Sequence, residues 1–194
     1  MDYKKIFTEK GLINIDKFFI YMQNEFEYGW LDKNGKKHYG VNDAQSYSLQ
    51  SPSELLKSHI GICWDRTELH RCFFEKMTSL KYETYYLFYD DKKGCPSHSI
   101  LVFYDNNKVY WFEPMFNDKN CFYSGIHEYE NLNKLLEDFK RIFVKDAVMN
   151  GLIPLDYTPS AIQIYKYKAP KKHSNGYEMR NHINNSELIN IGKK

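Results

Sequence analysis

No apolar run in the chain approaches the ~20 residues needed to span a bilayer. The opening Met-Asp-Tyr-Lys-Lys-Ile-Phe-Thr-Glu-Lys also lacks the apolar core of a signal peptide. A cytoplasmic location without membrane association is therefore expected. Excess charge is missing too: 27 basic against 25 acidic side chains leave a net charge of +2, so nothing argues for nucleic acid as a partner. The four cysteines, at 63, 72, 95 and 121, show no Cys-x-x-Cys spacing and are expected to be free thiols in a reducing compartment. Internal repeats and low-complexity tracts are absent. No Asp-x-Asp-x-Asp-Gly loop is present, so calcium dependence is not expected.

What the chain has in quantity is aromatic rings. Aromatic residues make up 17% of it, with 17 tyrosines and 13 phenylalanines, which points to a thick aromatic core or an aromatic-lined cleft. A length of 194 residues suits one well-filled domain. Asn14 can cap a helix reaching about Phe26, with Phe18, Phe19 and Met22 on its apolar stripe. Asp32 to His38, with Asn34-Gly35 at its centre, reads as an exposed turn. Ser51-Pro52-Ser53-Glu54 has the form of a capping box opening a short helix to Ser58. A core helix should follow from Trp64 to about Met77, a strand from Lys81 to Tyr89, and a helix between Asn131 and Asn150 ended by Gly151. A last strand fits Ala161 to Lys168. The domain is thus expected over residues 1–170, with 171–194 a polar segment that is either surface coil or a frayed tail.

Chemistry concentrates between Gly61 and Glu113. Cys63, in Gly61-Ile62-Cys63-Trp64-Asp65, stands at the start of the core helix, where unpaired backbone N–H groups and the helix dipole favour negative charge. Further on, Ser97-His98-Ser99-Ile100-Leu101-Val102 and Val109-Tyr110-Trp111-Phe112-Glu113 read as a hairpin turning at Asn106-Asn107. With Asp105 facing Lys108, the register puts Ile100 opposite Glu113 and His98 opposite Met115. His98 and Glu113 then become diagonal neighbours on one face, together with Ile100, Val102 and Trp111; Leu101, Phe103 and Phe112 lie on the other. A one-residue slip would separate them. A thiol becomes an effective nucleophile when an imidazole takes its proton and a third group holds the ring, and Cys63, His98 and Glu113 supply those roles.

These residues resemble the transglutaminase-like superfamily, whose members share a papain-like cysteine-enzyme core. The signature is Gly-x-Cys at a helix start, a histidine beginning a strand and an acidic residue on the next. The chain departs from it in carrying Glu113 where aspartate is usual and in a short cysteine-to-histidine interval. The resemblance implies an α+β fold, helices packed on an antiparallel sheet, and acyl transfer at amide or peptide bonds through a thioester. The substrate would be a peptide or protein and no cofactor is implied. Water as acceptor gives a peptidase or amidase, favoured for a chain without evident accessory domains; an amine gives crosslinking. An arylamine acetyltransferase-like enzyme would use the same residue types.

Other readings of the same residues compete. A cysteine near a helix start is usually inert packing, and a non-catalytic module could use an aromatic cleft to hold a peptide. Cys95 and His98, with Cys63 or Cys121, have zinc-ligand chemistry but no second close-spaced pair. His127 is a reserve base, otherwise a loop residue. For an oxyanion hole the Cys63 N–H needs a second donor, and Gln50, Gln45 and Trp30 are the candidates.

Overall fold

The helices begin where the sequence caps them. In the computed structural model, which describes residues 1–40, 43–89, 96–114, 123–157 and 161–191, Asn14 Oδ1 accepts the Lys17 N–H at 2.9 Å and opens α2 (Ile15–Glu25). Ser51 and Glu54 form the expected capping box at α3 (Pro52–Ser58), with the Ser51 N–H donating to Glu54 Oε2 at 2.8 Å. Asn131 caps α5 (Leu132–Met149) by accepting the Lys134 N–H at 3.0 Å. A further helix, α1 (Tyr3–Glu9), precedes these and buries Phe7. The central helix, α4 (Cys63–Met77), buries ten of its fifteen residues, so it is enclosed rather than laid on the surface.

The short strands β1 (Trp30–Leu31) and β2 (Lys37–His38) pair across the Asn-Gly turn, where Gly35 has φ +79°. The main sheet contains β3 (Lys81–Tyr89), β4 (Ser97–Asp105), β5 (Lys108–Glu113), β6 (Gly125–Tyr129), β7 (Ile162–Lys166) and β8 (Glu187–Leu188). Its order is β6-β5-β4-β3-β7-β8 and every pairing is antiparallel. Among the described residues the fold is α+β, with six helices and this six-stranded sheet.

The β4–β5 hairpin has the expected register, Asp105 facing Lys108. Asn106 and Asn107 take the positive φ values, 47° and 62°, that a two-residue hairpin turn of this hand requires. The two faces divide as their alternation dictates. Ile100, Val102 and Trp111 pack under α5 with Leu135, Leu136 and Phe139, whereas Leu101, Phe103 and Phe112 pack under α4 with Leu69, Phe73 and Phe74. Burying one such side chain is worth about 1.5–3 kcal/mol, so a register slip would cost several of these contributions together.

Two segments differ from the sequence reading. Among the described residues beyond 170, α6 (Gly176–Asn184) buries Met179 and Ile183 against Trp30, Tyr165 and Tyr167, and β8 pairs with β7. Asn175 and Glu178 form a capping box there, and Met179 and Ile183 are an i, i+4 apolar pair. The polar composition of the segment hides this short amphipathic helix. His127, expected in a loop, lies on β6 opposite Trp111, its Nε2 donating to the Tyr123 carbonyl at 2.9 Å.

Candidate active site

The sheet opens at one point. The β4–β5 ladder ends at Leu101↔Phe112, yet β4 continues to pair with β3 as far as Ser97, and β5 with β6 as far as Glu113. The two strands therefore part where His98 and Glu113 stand. The N-terminal turn of α4 fills this gap: Thr67 Oγ1 donates to the Ser99 carbonyl at 3.3 Å and Arg66 Nη1 to the Pro114 carbonyl at 3.4 Å. Strand carbonyls at the opening thus find partners on the helix. The body of α4 packs on the face opposite His98, but at the gap its first residue, Cys63, meets the imidazole.

The structure brings Cys63, His98 and Glu113 together. His98 Nε2 lies 2.8 Å from Glu113 Oε2, with side-chain exposures of 12% and 6%, so little water screens the pair. The imidazole is also hydrogen-bonded to the Cys63 side chain. Burial pulls the imidazole toward its neutral form, but the Glu113 charge and the hydrogen bonds to Cys63 and Glu113 outweigh it, and its pKa is pushed up to about 10. The ring is an imidazolium at neutral pH. The longer arm of glutamate reaches without difficulty, and Trp111 Nε1 donates to the same Oε2 at 3.1 Å. Trp111, which packs under α5, therefore also orients the carboxylate.

The loop before Cys63 is braced from below. A Cβ on Gly61 would stand 2.8 Å from Leu55 Cδ1 and 2.9 Å from Asp65 Cβ, so only glycine allows this close approach. Asp65 is fully buried and accepts from the Ile62 N–H at 3.0 Å, the Gln50 N–H at 2.9 Å and the Tyr47 hydroxyl at 3.0 Å. Desolvation raises its carboxyl to about 7 against the pull of these hydrogen bonds. Beside it, Arg66 is also buried; Nε donates to the Gly61 carbonyl and Nη2 to the Phe26 carbonyl, each at 3.1 Å.

Sequence reasoning missed Tyr28. The Glu27 N–H donates to the His59 carbonyl at 2.8 Å and the Gly61 N–H to the Glu27 carbonyl at 3.2 Å, which lays Tyr28 alongside the loop. Its phenol hydrogen-bonds to Cys63, both backbone and side chain, and the Arg66 guanidinium lies 5.7 Å from the ring centroid. Burial and the neighbouring sulfur hold the phenol well above its ordinary pKa, so it keeps its proton and remains a donor. No local signal marks it, because a parallel bridge between Glu27 and Ile60 makes the contact.

The other oxyanion candidates stand elsewhere. Gln50 Nε2 donates to the Ile60 carbonyl at 2.7 Å, and its Oε1 accepts from Ser58 at 2.7 Å. Trp30 stacks on His38 at 4.3 Å between centroids, and the Gln45 N–H donates to Asp43 at 3.2 Å. Met115, Cys95 and Cys121, invoked for the register and for the zinc reading, lie outside the described residues. His127 does not line the cleft.

That cleft, of about 430 Å³, is bordered by Cys63 and His98 and walled by the rings of Tyr28, Trp64, Trp111, Tyr123, Phe139 and Phe143. Its size is within the range of small-molecule and peptide side-chain pockets. A sulfur, a charged imidazole, an orienting carboxylate and two donors beside the sulfur are the parts that nucleophilic acyl chemistry requires. Among the described residues no group of three or more histidine, cysteine or acidic side chains is arranged to hold a metal ion, and no helix is long and apolar enough to cross a membrane. The chain matches no protein-family model and no curated protein sequence.

Proposed function

We propose that the protein is a cysteine-dependent acyl-transfer enzyme acting on amide or peptide bonds, with a papain-like core of the transglutaminase-like kind. One observation carries this reading: the gap between β4 and β5 receives the helix start, so that the sulfur of residue 63 faces a largely buried imidazole held by Glu113 at 2.8 Å.

In this reading the Cys63 proton already rests on the His98 imidazolium, and the sulfur attacks the substrate carbonyl carbon, opening the C=O bond to an oxyanion. The Cys63 N–H and the Tyr28 hydroxyl donate to that oxyanion. As the tetrahedral centre collapses, the C–N bond breaks and His98 gives its proton to the leaving amine, leaving a thioester. Water or an amine then attacks the thioester, losing a proton to His98, and the C–S bond breaks to restore the sulfur anion beside the imidazolium. Glu113 keeps the ring oriented throughout and stabilises its charged form.

A peptide-library turnover screen tests the reading. Cys63→Ala and His98→Ala should each abolish turnover while the proteins stay folded by circular dichroism, and turnover retained in both overturns the assignment. The aromatic walls of the cleft also suit a module that only holds a peptide. Iodoacetamide separates the two: an activated Cys63 is alkylated rapidly below pH 7, whereas an ordinary thiol is not.

A further inference from the structure

The wall of the cleft opposite the nucleophile comes from α5, whose Phe139, Ile142, Phe143, Asp146 and Ala147 recur at helical spacing and all face the same space. Four of these five are apolar. Asp146 is the exception, a carboxylate in a wall otherwise made of rings and aliphatic groups. It has no role in the catalytic arrangement: His98 is hydrogen-bonded to Glu113 and to Cys63. The carboxylate's own partners are the Asn150 amide and, at longer range, the His98 charge, and no lysine or arginine pairs with it among the described residues. Partial burial holds its carboxyl above the ordinary aspartate value, the direction expected of a carboxylate short of a counter-ion.

An aromatic cleft wall carrying, among the described residues, one under-compensated carboxylate selects for a ligand that is greasy along its stem and positive at its tip. Lysine and arginine side chains have that build: the methylene stem packs on rings while the charged head meets an acid. Aromatic rings around the same space add their own attraction for a cation. A glutamate or aspartate there would be repelled, and a neutral aliphatic chain would leave the carboxylate desolvated without a partner.

Resting on the acyl-transfer reading for the identity of the site, we propose that Asp146 is a specificity residue that selects peptides carrying a basic side chain next to the bond acted on. Asp146 contacts that side chain and takes no part in bond making.

Binding can be measured without turnover. Cys63→Ala is titrated by NMR with capped pentapeptide amides of the form Ala-Ala-Xaa-Ala-Ala, where Xaa is lysine, arginine, norleucine or glutamate. The lysine and arginine peptides should bind about tenfold more tightly than the norleucine peptide, or about 1.4 kcal/mol, and the glutamate peptide most weakly. Adding Asp146→Asn should bring the lysine-to-norleucine ratio close to unity, and Asp146→Glu should restore it. Asp146→Ser is the second neutral variant should the asparagine one fail to fold. Equal affinity for lysine and norleucine peptides, or a basic preference that survives the neutral substitutions, overturns the proposal. Failure of the catalytic reading appears separately, as an unreactive Cys63 and no turnover, and leaves this result intact.

Discussion

Two histidines sit on or against the central helix, one in its interior face and one at its start, and they are opposites. His98 lies in the β4–β5 gap, hydrogen-bonded to a carboxylate and to the Cys63 side chain, and it is held charged up to about pH 10. His70, two turns along α4 from Cys63, is 4% exposed, and neither ring nitrogen has a hydrogen-bond partner among the described residues. Its neighbours are the ring edges of Phe18 and Phe112, with centroids 6.0 and 5.0 Å away. Burial first, then the Arg66 and His98 charges, push it well below the ordinary histidine value. Burial acts on both rings in the same direction. Only the partner groups differ, and they decide that one imidazole is a proton carrier and the other a neutral core residue.

The sharpest way to break this contrast is to remove each ring. His98→Ala should lower peptide turnover by about 10⁴-fold or more, while His70→Phe should change it less than about twofold; equal losses in both would show that the contrast carries no functional meaning. Replacing the partner instead of the ring comes next. Glu113→Gln should cost about 10³ in turnover, and the His98 ring protons, followed by NMR, should titrate well below pH 10 once the carboxylate charge is gone. Tyr28→Phe should lower kcat by about 10² with KM little altered, as expected for a lost oxyanion donor. An unchanged kcat would return the search for that donor to another residue.

Stability should separate the rings by pH. His98 is raised above the unfolded histidine value of 6.5, so its contribution is complete below that pH and is lost as pH climbs through about 10. His70 is lowered, so the folded protein resists its protonation, and stability falls as pH drops below 6.5. Urea midpoints across pH should therefore decline at both ends, with His98→Gln flattening the alkaline limb and His70→Phe the acid limb. The smallest effect belongs to His70→Phe at neutral pH, which removes two unsatisfied nitrogens from an aromatic layer and should add about 1 kcal/mol to stability. A loss there would mean that the ring is held by something its packing does not reveal.

Much of this arrangement can be read along the chain because its causes are local. Asn14, Ser51 and Asn131 cap their helices through side chains three residues from the groups they bind. The Asn106-Asn107 turn fixes the hairpin register, and two-residue alternation then assigns His98 and Glu113 to one face and Phe112 to the other. The missed features depend on distant partners. Tyr28 reaches Cys63 through an isolated bridge to Ile60, and Trp111 acquires its hold on Glu113 only because the strand ends in the gap. The tail is a partial exception: its capping box was present, but the apolar pair behind it gains meaning only when Tyr165 and Tyr167 offer a surface to cover.

Residue order and spacing settled helices α2 to α5, the hairpin register and the three residue types suited to acyl chemistry, since each follows from interactions within a few residues or across one turn. The parting of β4 from β5, the entry of the helix start between them, the opposite charge states of His98 and His70 and the placing of Asp146 in the cleft wall were decided by folding. These depend on which groups from remote segments displace water around a given atom, and that displacement exists only once the chain is packed.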